Sequence, residues 1–151
     1  MRVYKSVTEL ENLVGQELGT SEWVTIDQER VNRFAEVTGD HQWIHVDPER
    51  AAKGPFGTTI AHGYLTLSLL PALGATAYQI EGSRMTVNYG LDRVRFPAPV
   101  PVGSRVRAVF ALKEYKPLPD NGVQLVVVAT VEREGGERPV CVAETVSRRY
   151  Y

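Results

Sequence analysis

An acid, an imidazole and a glycine in one short stretch could together move a proton and steady a negatively charged oxygen. Residues 38 to 63 contain Thr38-Gly39-Asp40-His41-Gln42-Trp43-Ile44-His45-Val46-Asp47-Pro48 and then Phe56-Gly57-Thr58-Thr59-Ile60-Ala61-His62-Gly63, and all 3 histidines of the chain fall in this window. An unperturbed imidazole titrates near ~6.5, so at neutral pH His45 can accept a proton. Asp40, five positions earlier, could share with it the activation of one water. Gly63 opens the most apolar segment of the chain. An N–H at a helix start has no intrahelical partner and points, with the helix dipole, at developing negative charge. Without a side chain, Gly63 also lets a substrate carbonyl come close.

Each residue has a plainer reading beside the chemical one. Asp40 alone would cap local N–H groups, and His45 alone would be a satisfied, half-buried imidazole. Three more residues are candidates for contact with substrate. His62 bonds backbone or helps shape the site, Trp43 is a packing lid or a stacking platform, and Asn88 lines a polar pocket or bonds a neighbouring strand. His41 and His45 are four apart, with Asp40, Asp47 and His62 as further ligands. Four-apart histidines pair on a metal when they share a helix face. This segment reads as loop and holds no HExxH, so no metal site is expected. No cofactor is expected either: GxSxG, P-loop and dinucleotide fingerprints are all absent. Ser68 has no base nearby in sequence, which disfavours a serine hydrolase.

The elements that must position these residues can be read from periodicity. Val7, Leu10, Leu13 and Val14 predict a short helix over Ser6 to Val14, and Thr20 to Ile26 reads as a strand. Asp27 can cap a helix with an apolar stripe of Val31, Phe34, Ala35 and Val37, ended by Gly39 in a left-handed conformation. Asp40 to His45 is then expected to be loop. Asp47-Pro48 restarts a helix through Lys53, with the carboxylate as cap and proline in the first turn. From Gly63 to Ala77 apolar residues fall on nearly every face, which predicts a helix wrapped by other structure and kinked at Pro71. Met85 to Phe96, Arg105 to Tyr115, Val123 to Arg133 and Pro139 to Tyr150 read as strands of an antiparallel meander. A long antiparallel sheet and one apolar helix predict an α+β fold in which the sheet curls around the helix.

Composition removes whole classes of function. A length of 151 residues with 43% apolar and 23% charged residues fits one globular domain spanning 1–151. A net charge of -1 gives no footprint for nucleic acid. The single Cys141 excludes an intrachain disulfide and reads as a buried, inert thiol. Met1 to Leu10 has no apolar core for a secretory signal, and Tyr64 to Tyr78 is too short and interrupted to span a bilayer. A cytoplasmic protein with no membrane partner is expected.

Thr38-Gly39-Asp40-x-x-x-x-His45-x-Asp47-Pro48, followed by Phe56-Gly57 and Ile60-Ala61-His62-Gly63, resembles the hydratase signature of the MaoC-like dehydratase family. That family includes (R)-specific enoyl-CoA hydratases and nodulation-protein-N-like members, and the resemblance runs along nearly the whole chain. It implies a hotdog fold, a curved antiparallel sheet wrapped around a central apolar helix, and a homodimer whose sheets join edge to edge. It implies Asp40 and His45 as the catalytic pair and Gly63 as the oxyanion glycine. The implied reaction is reversible syn addition of water to a trans-2-enoyl thioester of CoA or a carrier protein, giving the (R)-3-hydroxyacyl thioester. The chain departs from many such hydratases at Gln42 and Trp43, where Asn and Pro stand, and the bulkier Trp43 bears on pocket shape. CoA phosphates would need basic partners, for which Lys53, Arg84, Arg93 and Arg95 are candidates. A hotdog acyl-CoA thioesterase and a non-catalytic acyl-thioester binding module are the alternatives.

Overall fold

The computed structural model describes Met1–Tyr151. Strand β1 (Arg2–Tyr4) leads to a 3-10 helix over Val7–Leu13, whose N-terminus is closed by a reciprocal capping box between Ser6 and Glu9. The apolar stripe foreseen there buries Val7 and Leu10, in a tighter helix than the α form. The strand expected over Thr20 to Ile26 is two short pieces, β2 (Glu17–Thr20) and β3 (Val24–Thr25), both paired to one later strand.

Helix α1 (Gln28–Thr38) begins at Asp27, whose Oδ1 accepts from the Arg30 N–H at 2.8 Å. Val31 and Ala35 are buried, but Val37, two positions beyond Ala35 and so on the other side of the helix, is 82% exposed and leaves the expected stripe. The helix ends at Gly39 with φ 80°, a left-handed cap open to glycine without a Cβ penalty. The stretch expected to be loop is loop only through Gln42. Trp43–Val46 forms a single helical turn, α2, because the Asp47 N–H returns to the Trp43 carbonyl at 3.0 Å. Asp47 then caps α3 (Pro48–Ala52) by accepting from the Arg50 N–H at 3.0 Å. So Asp47 closes one turn and opens the next.

The long apolar segment is helical as foreseen, but in two pieces: α4 (Gly63–Ser68) and α5 (Leu70–Ala77), joined at Leu69. Pro71 has no N–H to return to the carbonyl four residues back, and the ladder breaks there. Then follow β4 (Tyr78–Ile80), β5 (Met85–Arg95), β6 (Arg105–Leu118), β7 (Gly122–Arg133) and β8 (Cys141–Tyr150). The main sheet runs β2-β6-β7-β8-β5, antiparallel at every pairing, and β1 pairs in parallel with β4 outside it. The simple meander holds for β6, β7 and β8 alone. β5 pairs with β8 rather than with its neighbour in sequence. The Pro97–Gly103 connection carries the chain past Ile60, bridging to it at Pro101, and deposits β6 three positions from β5, with β8 and β7 between them.

The sheet curls round the helix in the hotdog arrangement. Leu65, Leu70, Leu73 and Ala77 join one core with alternate residues of β6, namely Val106, Ala108, Phe110 and Leu112. The approach is close enough at β2 that a Cβ on Gly19 would lie 2.5 Å from the Ala77 carbonyl oxygen. The helix is covered on one side only. Tyr64, Ser68, Pro71, Ala72 and Ala75 form an exposed stripe at helical spacing.

Candidate functional site

The end of α1, turn α2 and the segment 59–63 meet at the N-terminus of α4. His45 sits on α2 and is 7% exposed. Its Nδ1 lies 2.7 Å from the Ile60 carbonyl oxygen. A carbonyl only accepts, so Nδ1 carries the hydrogen and Nε2 keeps its lone pair. The main chain here is held as firmly as the ring: the Ile60 N–H donates to the Ile44 carbonyl at 2.9 Å. Gln28, first residue of α1, donates from Nε2 to the His45 carbonyl at 2.8 Å. The Gln28 Oε1 accepts from the hydroxyl of buried Thr59 at 2.6 Å. His45 is therefore pinned through ring and main chain to the same short strip of residues.

Asp40 is exposed, at the tip of the loop after Gly39, with its Oδ1 accepting from the Gln42 N–H at 3.3 Å. Side-chain ligand atoms of Asp40, His45 and His62 all lie within 4.8 Å of one another. Such spacing suits a shared water between carboxylate and imidazole. It suits a metal poorly. The His45 and His62 rings stack 3.8 Å apart at 24°, whereas imidazoles bind a metal within their own planes at about 2.0–2.1 Å. Rings that face each other do not aim lone pairs at one point. His41 is exposed and precedes α2, so it shares no helix face with His45.

Burial lowers the His45 pKa from its ordinary 6.5; the Ile60 carbonyl opposes this, His62 adds to it and Asp40 opposes it. A buried imidazole that resists protonation is suited to accept a proton only when one is released by substrate or water.

Gly63 borders a cavity of about 310 Å³ whose walls include His45, Phe56, Thr66, Phe96 and Val140. A Cβ on Gly63 would lie 3.0 Å from the Phe96 ring, so a side chain there would push Phe96 aside. Asn88 is elsewhere. It lines a larger cavity of about 750 Å³ between α5 and strands β5 and β8, with Ser68, Tyr78 and Arg149. Trp43 lines neither of these cavities; its ring packs on Gly54 and under the Arg50 guanidinium, 4.4 Å from the ring centre. His62 is 2% exposed and likewise outside both walls.

Sequence reasoning missed Gln28, Thr59 and Phe96. A polar residue following a capping aspartate looks like ordinary first-turn chemistry, and no local pattern ties Gln28 to Thr59. Phe96 ends a strand-like run and carries no polar group. Cys141 is fully buried and burial pushes its thiol up to about 11, so it is no nucleophile.

Residues 9–135 match the family model described as MaoC like domain. The chain is 58% identical over 148 residues to 3-hydroxyacyl-thioester dehydratase Z of Mycobacterium tuberculosis, covering 98% of each. It is 48% identical over 147 residues to Nodulation protein N of Rhizobium leguminosarum bv. viciae, covering 94% of this chain and 89% of that one. Among solved structures, the unliganded R-hydratase of Pseudomonas aeruginosa superposes with a TM-score of 0.72 at 30% identity, over 91% of this chain and 81% of that one.

Proposed function

The chain belongs to the MaoC-like domain family, and on that premise we propose that it hydrates trans-2-enoyl thioesters reversibly to (R)-3-hydroxyacyl thioesters. The observation that carries this reading is the buried His45 ring, fixed by Ile60 with Nε2 free, within 4.8 Å of the Asp40 carboxylate at the start of α4. Water held between Asp40 and His45 attacks C3. The electron pair of the C2–C3 double bond moves toward the thioester carbonyl, whose oxygen is steadied by the Gly63 N–H. A proton from the Asp40–His45 pair then reaches C2. The proton that water gave up restores the pair, so no net proton is consumed. The two groups are close enough to titrate as a pair, and we assign the returned proton to the pair. The chemistry asks for no metal or redox cofactor, and the thioester handle is CoA or a carrier protein's pantetheine. Asn88 is read as shaping the larger neighbouring cavity and Trp43 as packing behind the site, while His62 lines neither cavity and is given no contact with substrate.

The working form we infer is a homodimer in a cytoplasmic setting. β5 bonds only β8, leaving its other edge free, and Met85, Val87, Tyr89 and Leu91 are exposed along it. Unpaired apolar edges are normally covered. The bare stripe of the central helix asks for the same. No helix is long and apolar enough to cross a membrane.

The test is loss of the conjugated absorbance of trans-2-enoyl-CoA, with chiral analysis of the product. Appearance of free thiol without hydration would make the protein a thioesterase. Saturable acyl-CoA binding with no change in absorbance would make it a binding module.

A further inference from the structure

His62 is 2% exposed beside the reacting groups, as enclosed as Thr59 and Thr66, and the mechanism gives it no chemical step. Its main chain precedes Gly63 as N-cap of α4, yet its side chain makes no capping bond. It turns inward instead. Nε2 lies 2.9 Å from the main-chain oxygen of Asp40, so Nε2 carries the hydrogen and donates it. The ring lies on His45 at 3.8 Å, and Phe34 of α1 packs on it at 4.9 Å. Asp40 needs such an anchor. Residues 39–42 have no regular structure, and the bond from His62 is the one hydrogen bond reaching Asp40 from outside its own loop. A ring that is 2% exposed and borders neither cavity has no surface to offer a substrate.

We propose that His62 is the positioning residue of this site, setting Asp40 through its main-chain oxygen, His45 through its ring face, and Gly63 through the peptide bond between them. This rests on reading Asp40 and His45 as the reacting pair. Loss of such alignment lowers the chemical step and leaves substrate binding alone, since a displacement of about 1 Å can cost about 100-fold in rate.

Two substitutions separate the parts. His62→Phe keeps a flat ring for His45 and removes the donor to Asp40. His62→Gln keeps a terminal N–H within reach of Asp40 and removes the ring. With crotonyl-CoA as substrate, His62→Phe is expected to lower kcat about 10- to 100-fold with KM within about twofold, and His62→Gln to recover part of that loss. Asp40→Asn and His45→Gln are assayed alongside. A folded His62→Phe protein with full kcat overturns the proposal, as does a rise in KM at unchanged kcat in both variants. If His62→Phe gives no cooperative melt, His62→Gln decides: kcat equal to the parent overturns the proposal, and a reduced kcat at unchanged KM supports it. Activity retained in Asp40→Asn and His45→Gln overturns the reading of the pair and this inference with it. An inactive pair beside a normal His62→Phe overturns this inference alone.

Discussion

The imidazoles of His45 and His62 lie 3.8 Å apart, face to face, and each hands one nitrogen to a different main-chain carbonyl: His45 Nδ1 to Ile60 and His62 Nε2 to Asp40. The two rings are thereby fixed in opposite tautomers. His45 keeps Nε2 as an acceptor, which is the state a general base requires.

Replacing either member of the pair should therefore remove turnover and spare the fold. Asp40→Asn and His45→Gln are expected to lower kcat for crotonyl-CoA hydration by about 100- to 10,000-fold. Asp40 is exposed, so its melting temperature should hardly move. Near-normal hydration in both variants would sink the assignment.

Acid should switch off activity below the ordinary histidine range. Burial is the largest cause of the lowered His45 pKa, ahead of the opposing Ile60 carbonyl, the lowering His62 and the opposing Asp40. Below 6.5 the unfolded chain takes up a proton that folded His45 still refuses. Its contribution to stability is thus present above 6.5 and is lost as pH falls from there through the folded pKa. Proton-linked melts and the acid limb of kcat/KM measure the two effects. An acid limb at or above 6.5 in the free enzyme would contradict this assignment of the base.

Gln28 and Thr59 should matter to both stability and rate, although neither can touch substrate chemistry directly. Thr59→Val leaves Gln28 Oε1 without its buried donor, at a cost of about 1–3 kcal/mol in a denaturant melt. Gln28→Leu should additionally loosen the His45 main chain and lower kcat. A Gln28→Leu protein with parental kcat would show that Ile60 alone suffices to hold His45.

Gly63→Ala should cost turnover through Phe96. The new methyl meets the Phe96 ring at 3.0 Å, so either the ring or the helix start must move. Adding Phe96→Leu to Gly63→Ala should restore part of the activity. No recovery would place the cost in the approach of the carbonyl itself.

The edge of β5 offers a test of assembly. Val87→Lys with Leu91→Lys puts charges on exposed apolar positions of an unpaired edge, which should shift the protein toward monomer in sedimentation velocity. A parent protein that is already monomeric at tens of micromolar would refute the dimer.

Local sequence signals were enough for the caps at Asp27, Gly39 and Asp47, the alternation of Val106 through Leu112, and the break at Pro71, because each is governed by residues within one turn or one strand. Residue type and spacing, which carry the family resemblance, also single out Asp40, His45 and Gly63 as the residues proposed to react. Order in the sheet was another matter. That β5 joins β8 and not β6 depends on where a proline-rich connection carries the chain, and a hairpin and a crossover look alike in sequence. The turn at Trp43–Val46 likewise formed where loop was expected, closed by a single bond from Asp47.

The sequence by itself determined which residues could react and which elements would carry them, because side-chain chemistry and periodicity are local properties. Only the tertiary structure decided how they are held. The Gln28–Thr59 link spans 31 positions and the His62–Asp40 bond spans 22, and the stacking of His45 on His62 exists only once α2 is laid against the start of α4. Alignment of reacting groups is a matter of relative position in space, which no window along the chain contains.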